Sequence, residues 1–264
     1  MFTKEYNSEN RSFALSVTIS CKGAKKFRIA AADFGKKNSM YVDREITVEG
    51  KRTIFLSFPV SPRKLGLVIC NTQDIQDKEF DVMLAETKLQ TYNIHIDNKT
   101  QRFLDMAIPF CQVAGFTEPA DNGRLFSINS EEFRIKYFPV IKDFRTGQVY
   151  NTPARIGHKS GIIEVAKAKF DRYTIPMRLI ILLHEFSHKY KNPGIGLEIS
   201  NEFGADINAL YIYLGLGFSK IDAICVFANV FLKAQTDSNL QRMRKIMDYI
   251  QKFENGDFAQ KNLN

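Results

Sequence analysis

The chain has 264 residues, of which 44% are hydrophobic and 25% charged, and its formal net charge is +8. This composition is typical of a globular protein with one or two domains and argues against a disordered chain. No apolar run is long enough to cross a bilayer, and the four cysteines are scattered without a C-x-x-C pair, which argues against a membrane protein or a disulfide framework.

The positive charge forms no block, and no nucleic-acid-binding motif is present, so no nucleic-acid partner is expected. The segment Met1–Arg11 is polar and lacks the apolar core of a signal peptide, which predicts a cytoplasmic protein.

The first third of the chain is typical of β-structure. Phe13, Leu15, Val17 and Ile19 alternate with polar or small residues, as in a half-buried strand. Further predicted strands are Phe27–Ala31, Met40–Val48, Thr53–Phe58, Leu65–Cys70 and Phe80–Leu84, with a turn at Glu49-Gly50-Lys51. Short strands without helical patterns favour a β-sandwich-like docking or scaffold module over residues 1–97.

Helical patterns begin near Asn98 or Thr100, either of which can cap a helix that runs to about Val113. Predicted strands at Leu125–Ile128, Phe133–Phe138 and Gly161–Val165 follow, and later helices span about 197–214, 221–232 and 237–253. The predicted fold class is α+β, with residues 98–264 forming a second domain that contains a small mixed sheet and helices.

The most informative motif is His184-Glu185-Phe186-Ser187-His188, the H-E-x-x-H pattern of zinc peptidases. It lies in an apolar run for which Thr174 is a suitable N-cap and Pro176 is a first-turn residue. On a helix, positions i and i+4 share a face, so both imidazoles can hold one metal ion. The glutamate between them can then act on the water at the metal.

Two acidic residues on the next predicted helix, Glu202 and Asp206, are also four positions apart. A catalytic zinc site needs a third protein ligand, which Glu202 would supply. Asp206 could accept a hydrogen bond from the far nitrogen of a ligand histidine and so fix its tautomer. A solvated helix face is the ordinary alternative for two such acids, but here they border an apolar face.

H-E-x-x-H followed by Asn201-Glu202-Phe203-Gly204-Ala205-Asp206 resembles the gluzincin group of zinc metallopeptidases. The resemblance implies a Zn²⁺ cofactor held by His184, His188 and Glu202, with Glu185 as general base and Asp206 supporting His184. It also implies a compact zincin-like catalytic domain, an endopeptidase activity and a polypeptide substrate.

Zincins hold an extended peptide along an edge strand, and the residues predicted for this role are Gly161, Ile162, Ile163 and Glu164. An interior strand of a small sheet is the alternative for this segment. No histidine follows Glu202, so the group that assists the oxyanion must come from elsewhere. The candidates are Tyr190, Tyr211, Tyr213, His158 and Arg155.

Two alternative functions remain. The chain also resembles proteins that several tailed bacteriophages encode, in which case it would be a virion or assembly component built on a metallopeptidase fold. Such a component would act in the virion or host cytoplasm, bind an assembly partner through the β-module and show little or no turnover. A repressor-cleaving protease of the ImmA/IrrE type is the other alternative, although the β-module is unusual for it.

Overall fold

The computed structural model describes residues 1–127, 133–157, 159–192, 202–234 and 236–258. It confirms the α+β fold class, with a five-stranded antiparallel sheet followed by a small mixed sheet and, in the described part, six α-helices. The chain divides into two compact units, Met1–Thr91 with Gly217–Ser219, and Tyr92–Leu216 with Lys220–Asn264. No helix of the described residues is long and apolar enough to cross a membrane.

The first unit is built on two very long strands. Its strands are β1 (Phe2–Asn7), β2 (Phe13–Ala32), β3 (Met40–Phe58), β4 (Lys64–Asn71) and β5 (Phe80–Thr87). The sheet order is β1-β4-β2-β3, and β5 pairs with the first part of β2. Leu15, Val17 and Ile19 are fully buried, as their alternation predicts.

Two glycines explain why the predicted short strands merge into long ones. Gly23 and Gly50 have positive φ values of 67° and 69°, which L side chains rarely adopt. In the register, Cys21 pairs with Gly50 and Ala24 with Glu49, so β2 carries a bulge at this point. The predicted turn at 49–51 is therefore wrong, because the ladder bends there and continues.

The second unit surrounds a four-stranded sheet with helices. The strands are β6 (Arg124–Ser127), β7 (Arg134–Phe138), β8 (Ala154–Ile156) and β9 (Ile162–Ala166), in the order β6-β7-β9-β8. The helices are α1 (Asn98–Ala114), α2 (Lys167–Phe170), α3 (Ile175–Ser187), α4 (Glu202–Gly215), α5 (Lys220–Val226) and α6 (Asp237–Glu254), and a π-helical turn (Phe227–Phe231) follows α5. The N-cap of α1 is Asp97, one residue before the first predicted candidate, and it accepts a hydrogen bond from Thr100 N at 2.8 Å.

The sequence explains why α3 forms the centre of this unit. The Thr174 side chain caps its start by accepting from Met177 N, and Pro176 occupies the first turn. All α3 residues except Met177 are buried, and the Phe186 ring stacks on Phe103 of α1 with centroids 4.2 Å apart.

A buried amide joins α4 to the end of α3. The Asn208 Nδ2 donates to Ser187 Oγ at 2.7 Å and to the Tyr190 carbonyl at 3.2 Å. Its Oδ1 accepts from Asn192 N at 3.1 Å. Because Asn208 lies on α4 and its partners on or just after α3, these bonds hold α3 and α4 in one relative position.

Arg178 joins three segments from within the core, where its side chain is 1% exposed. Its guanidinium donates to the carbonyls of Cys111, Phe170 and Asp171 at 3.2 to 3.4 Å. These carbonyls lie in the last turn of α1 and at the end of α2, so one buried cation links the C-terminal ends of two helices.

We expect Arg178→Met to lower the free energy of unfolding by about 3 kcal/mol, because the buried carbonyls lose their donor. Urea unfolding followed by circular dichroism measures the loss. Arg172→Met, at an exposed position of the same region, is the matched control. An Arg178→Met variant as stable as this control would show that the carbonyls find other donors.

Candidate metal centre

His184, His188 and Glu202 meet at one point, although Glu202 lies on a different helix. The two Nε2 atoms are 3.1 Å apart, and Glu202 carboxylate oxygens lie 3.5 Å from His184 Nε2 and 3.6 Å from His188 Nε2. One ligand atom from each residue lies within 4.8 Å of the others. Two imidazole nitrogens and one carboxylate oxygen at these distances form a group that could hold a metal ion.

Asp206 lies behind this group and has no exposed surface. Its Oδ1 lies 2.9 Å from His184 Nδ1, although the two atoms are not aligned for a ring N–H hydrogen bond. A carboxylate at this nitrogen favours the tautomer that leaves Nε2 free for a metal. Asp206 thus lies beside the far nitrogen of His184, and its supporting role stays a prediction.

Sequence reasoning missed Arg242, which comes from α6. Its Nε donates to Asp206 Oδ2, and an Nη donates to Asp206 Oδ1 at 2.7 Å and to Glu202 Oε2 at 3.3 Å. The guanidinium thus joins the buried carboxylate to the third member of the metal group. Fork-shaped pairing of this kind restricts orientation as well as supplying charge.

The charged groups of the site strongly shift one another's pKa values. Burial by itself lowers the pKa of His184, but the carboxylates of Asp206 and Glu202 outweigh it and raise that pKa to about 9. The His184 ring in turn holds the pKa of Glu202 at about 2, against the effect of its partial burial. A divalent cation at Nε2 would compete with a proton for the same nitrogen, so metal binding there would depend on pH.

Phe231 covers one face of His184 and was also missed. The two rings stack with centroids 3.9 Å apart and an interplanar angle of 29°. Phe231 ends the π-helical turn, in a segment that the sequence analysis assigned to a regular helix. Such turns are rare and frequently lie at functional sites, and here the turn supplies a wall that restricts the His184 ring.

A cavity of about 750 Å³ opens beside the metal group. His184, His188 and Glu202 line it, and so does Glu185, which is 8% exposed and follows His184 on α3. Glu185 and the metal group therefore line the same space. Tyr173 also lines the cavity and was not identified from the sequence.

The predicted substrate-binding segment requires a correction. Glu164 pairs with Lys136 of β7 on one side and with Arg155 of β8 on the other, so β9 lies inside the sheet and cannot accept a further strand over these residues. Gly161, Ile162, Ile163 and Glu164 do not line the described cavity. An edge strand of this sheet, β8, does line the cavity with all three of its residues.

The predicted oxyanion candidates separate into different environments. Arg155 lines the cavity, and its Nε donates to Glu164 at 2.6 Å. The Tyr211 hydroxyl accepts from His95 N at 3.2 Å, Tyr213 is fully buried, and Tyr190 stacks on Phe186. None of these three tyrosines lines the described cavity, which argues against them as donors to a substrate there. His158 lies outside the described residues.

Comparisons with models of protein families, with curated proteins and with solved structures found no match to this chain. What the structure shows about function is therefore that His184, His188 and Glu202 form a group that could hold a metal ion.

We expect the purified chain to bind one divalent metal ion, and His188→Ala to lose it, because two donors hold a cation far more weakly than three. Elemental analysis after dialysis measures the ratio of metal to protein. His95→Ala removes an exposed histidine from outside the group and is the matched control. Equal metal content in both variants would exclude the site.

Arg242→Ala should lower metal affinity about tenfold, as changes to residues that orient metal ligands commonly do. The reason is that Asp206 and Glu202 lose their shared donor. Competition with a chelating dye measures the affinity. Arg244→Ala, at an exposed position of the same helix, should leave it unchanged; the same affinity in both variants would show that Arg242 does not position the site.

Proposed function

We propose that this chain is a zinc-dependent endopeptidase of the gluzincin kind. The observation that carries the proposal is a group of three protein donors, His184, His188 and Glu202, that faces a cavity shared with Glu185. Structural zinc sites are commonly closed by a fourth protein ligand, whereas catalytic sites use three and leave one position for water or substrate. Among the described residues the group has three members.

The donor set favours zinc or another transition metal over magnesium and calcium. Imidazole nitrogens suit zinc and other transition metals, whereas magnesium and calcium prefer oxygen ligands. A zinc ion held there would supply Lewis acidity toward a carbonyl group and toward water.

Glu185 is the proposed general base. Its carboxylate accepts a proton from the water that attacks the scissile carbonyl carbon and then delivers this proton to the leaving amine nitrogen. The product of the first transfer is a protonated Glu185, and the second transfer restores the carboxylate. Burial of Glu185 limits the competing water around it, which strengthens its interaction with the reacting groups.

The edge strand β8 is the proposed place for the substrate backbone. Its main chain pairs with β9 on one side, and it has no second strand partner among the described residues. An extended peptide can add to such an edge through main-chain hydrogen bonds. Since Ala154, Arg155 and Ile156 line the cavity, a peptide bound there would lie beside the metal group.

Glu185→Gln should retain zinc and lose hydrolysis by a factor of about 10² to 10⁴, because the amide cannot accept the proton. Release of fluorescent fragments from labelled casein measures the rate, and elemental analysis measures the zinc. Glu118→Gln, in a side chain that is 85% exposed, is the isosteric control.

Cleavage by Glu185→Gln at the parent rate would contradict the mechanism. A parent protein that holds stoichiometric zinc but cleaves nothing would instead favour the structural component of an assembly, in which the first unit binds a partner protein.

A further inference from the structure

The cavity beside the metal group carries three cationic side chains without an ion pair to any described residue. Lys169 and Arg172 come from the connection between β9 and α3, and Lys233 follows the π-helical turn. The chain thus brings positive charge to one cleft from two segments that are distant in sequence. Elsewhere in the described structure many lysines and arginines are paired with acids, for example Lys167 with Glu118 at 2.8 Å.

The other charges of the cavity leave this positive charge uncompensated. Arg155 is neutralised by Glu164 at 2.6 Å. The acids of the cavity wall are Glu185 and Glu202, and a divalent ion at the metal group would offset these two negative charges. The wall then presents Lys169, Arg172 and Lys233, and a cleft with one sign of charge attracts ligands of the opposite sign.

We infer that the cleft selects acidic polypeptide segments, with aspartate or glutamate side chains on either side of the bond to be cut. This inference rests on the proposed function and names its substrate class. A polypeptide fits better than a nucleic acid because β8 offers main-chain N–H and C=O groups along the cavity, which pair with a peptide backbone. The three cations then contact side chains that project from the bound strand.

The test measures binding without turnover. Full-length Glu185→Gln protein, loaded with zinc, is titrated against a fluorescein-labelled peptide of alternating aspartate and alanine, and against its asparagine counterpart, by fluorescence anisotropy. Exposed ion pairs contribute a few tenths to one kcal/mol each, so three of them should favour the aspartate peptide by on the order of tenfold at low salt. Added salt should remove most of this preference.

The variant Lys169→Gln/Arg172→Gln/Lys233→Gln should lose most of the preference for the aspartate peptide. The matched control is Lys22→Gln/Arg145→Gln/Arg244→Gln, which removes the same charge at exposed positions that do not line the cavity and should keep the preference. Circular dichroism of both triple variants confirms that they are folded.

Equal affinity of the zinc-loaded Glu185→Gln protein for the two peptides would overturn the inference. An equal loss of preference in both triple variants would overturn it as well. Oligothymidylate that binds more tightly than the aspartate peptide would overturn it in favour of a nucleic acid. Because none of these measurements requires cleavage, an absence of peptidase activity would defeat the proposed function while leaving the preference for acidic peptides measurable.

Discussion

A carboxylate without exposed surface, Asp206, is the constraint on which the metal-site region depends. A buried charge is costly unless it is paired, and Asp206 meets a guanidinium from α6 and an imidazole from α3. Its charge therefore requires that three helices approach one another at a single point. The same approach sets Glu202, one turn earlier on α4, against His184 and His188. A pairing that offsets the cost of a buried ion thus also assembles the candidate ligands.

The interior of this unit makes that arrangement rigid. Asn208 connects α4 to the end of α3 through buried hydrogen bonds, and Phe231 stacks on the His184 ring. Metal sites lose affinity when their ligands must be reorganised on binding, and here packing restrains both the helix that carries the histidines and one of their rings. The group opens onto the cavity.

Local patterns predicted the metal helices, because each signal is carried by neighbouring residues. Thr174, Pro176 and the i, i+4 spacing of His184 and His188 need no knowledge of the rest of the chain. Arg242 could not be found in this way, since its partner Asp206 is 36 positions away and its own helix has the pattern of ordinary core packing. The edge strand β8 has three residues, too few for a periodic pattern, and alternation along β9 is the same for an interior strand as for an edge strand. Gly50 was predicted to lie in a turn because a glycine with positive φ occurs both in turns and in bends of a continuous strand.

The order of the ligands along the chain has a consequence for folding. His184, His188 and Glu202 lie within one short segment, whereas the contact from Arg242 to Asp206 closes a loop of 36 residues. The entropy lost on closing a loop grows with its length, by about 0.6 kcal/mol for each doubling. The contact from Arg242 to Asp206 therefore costs somewhat more loop-closure entropy than the approach of the three candidate ligands to one another. A change that loosens α6 would therefore also loosen the support that Arg242 gives to Asp206 and Glu202.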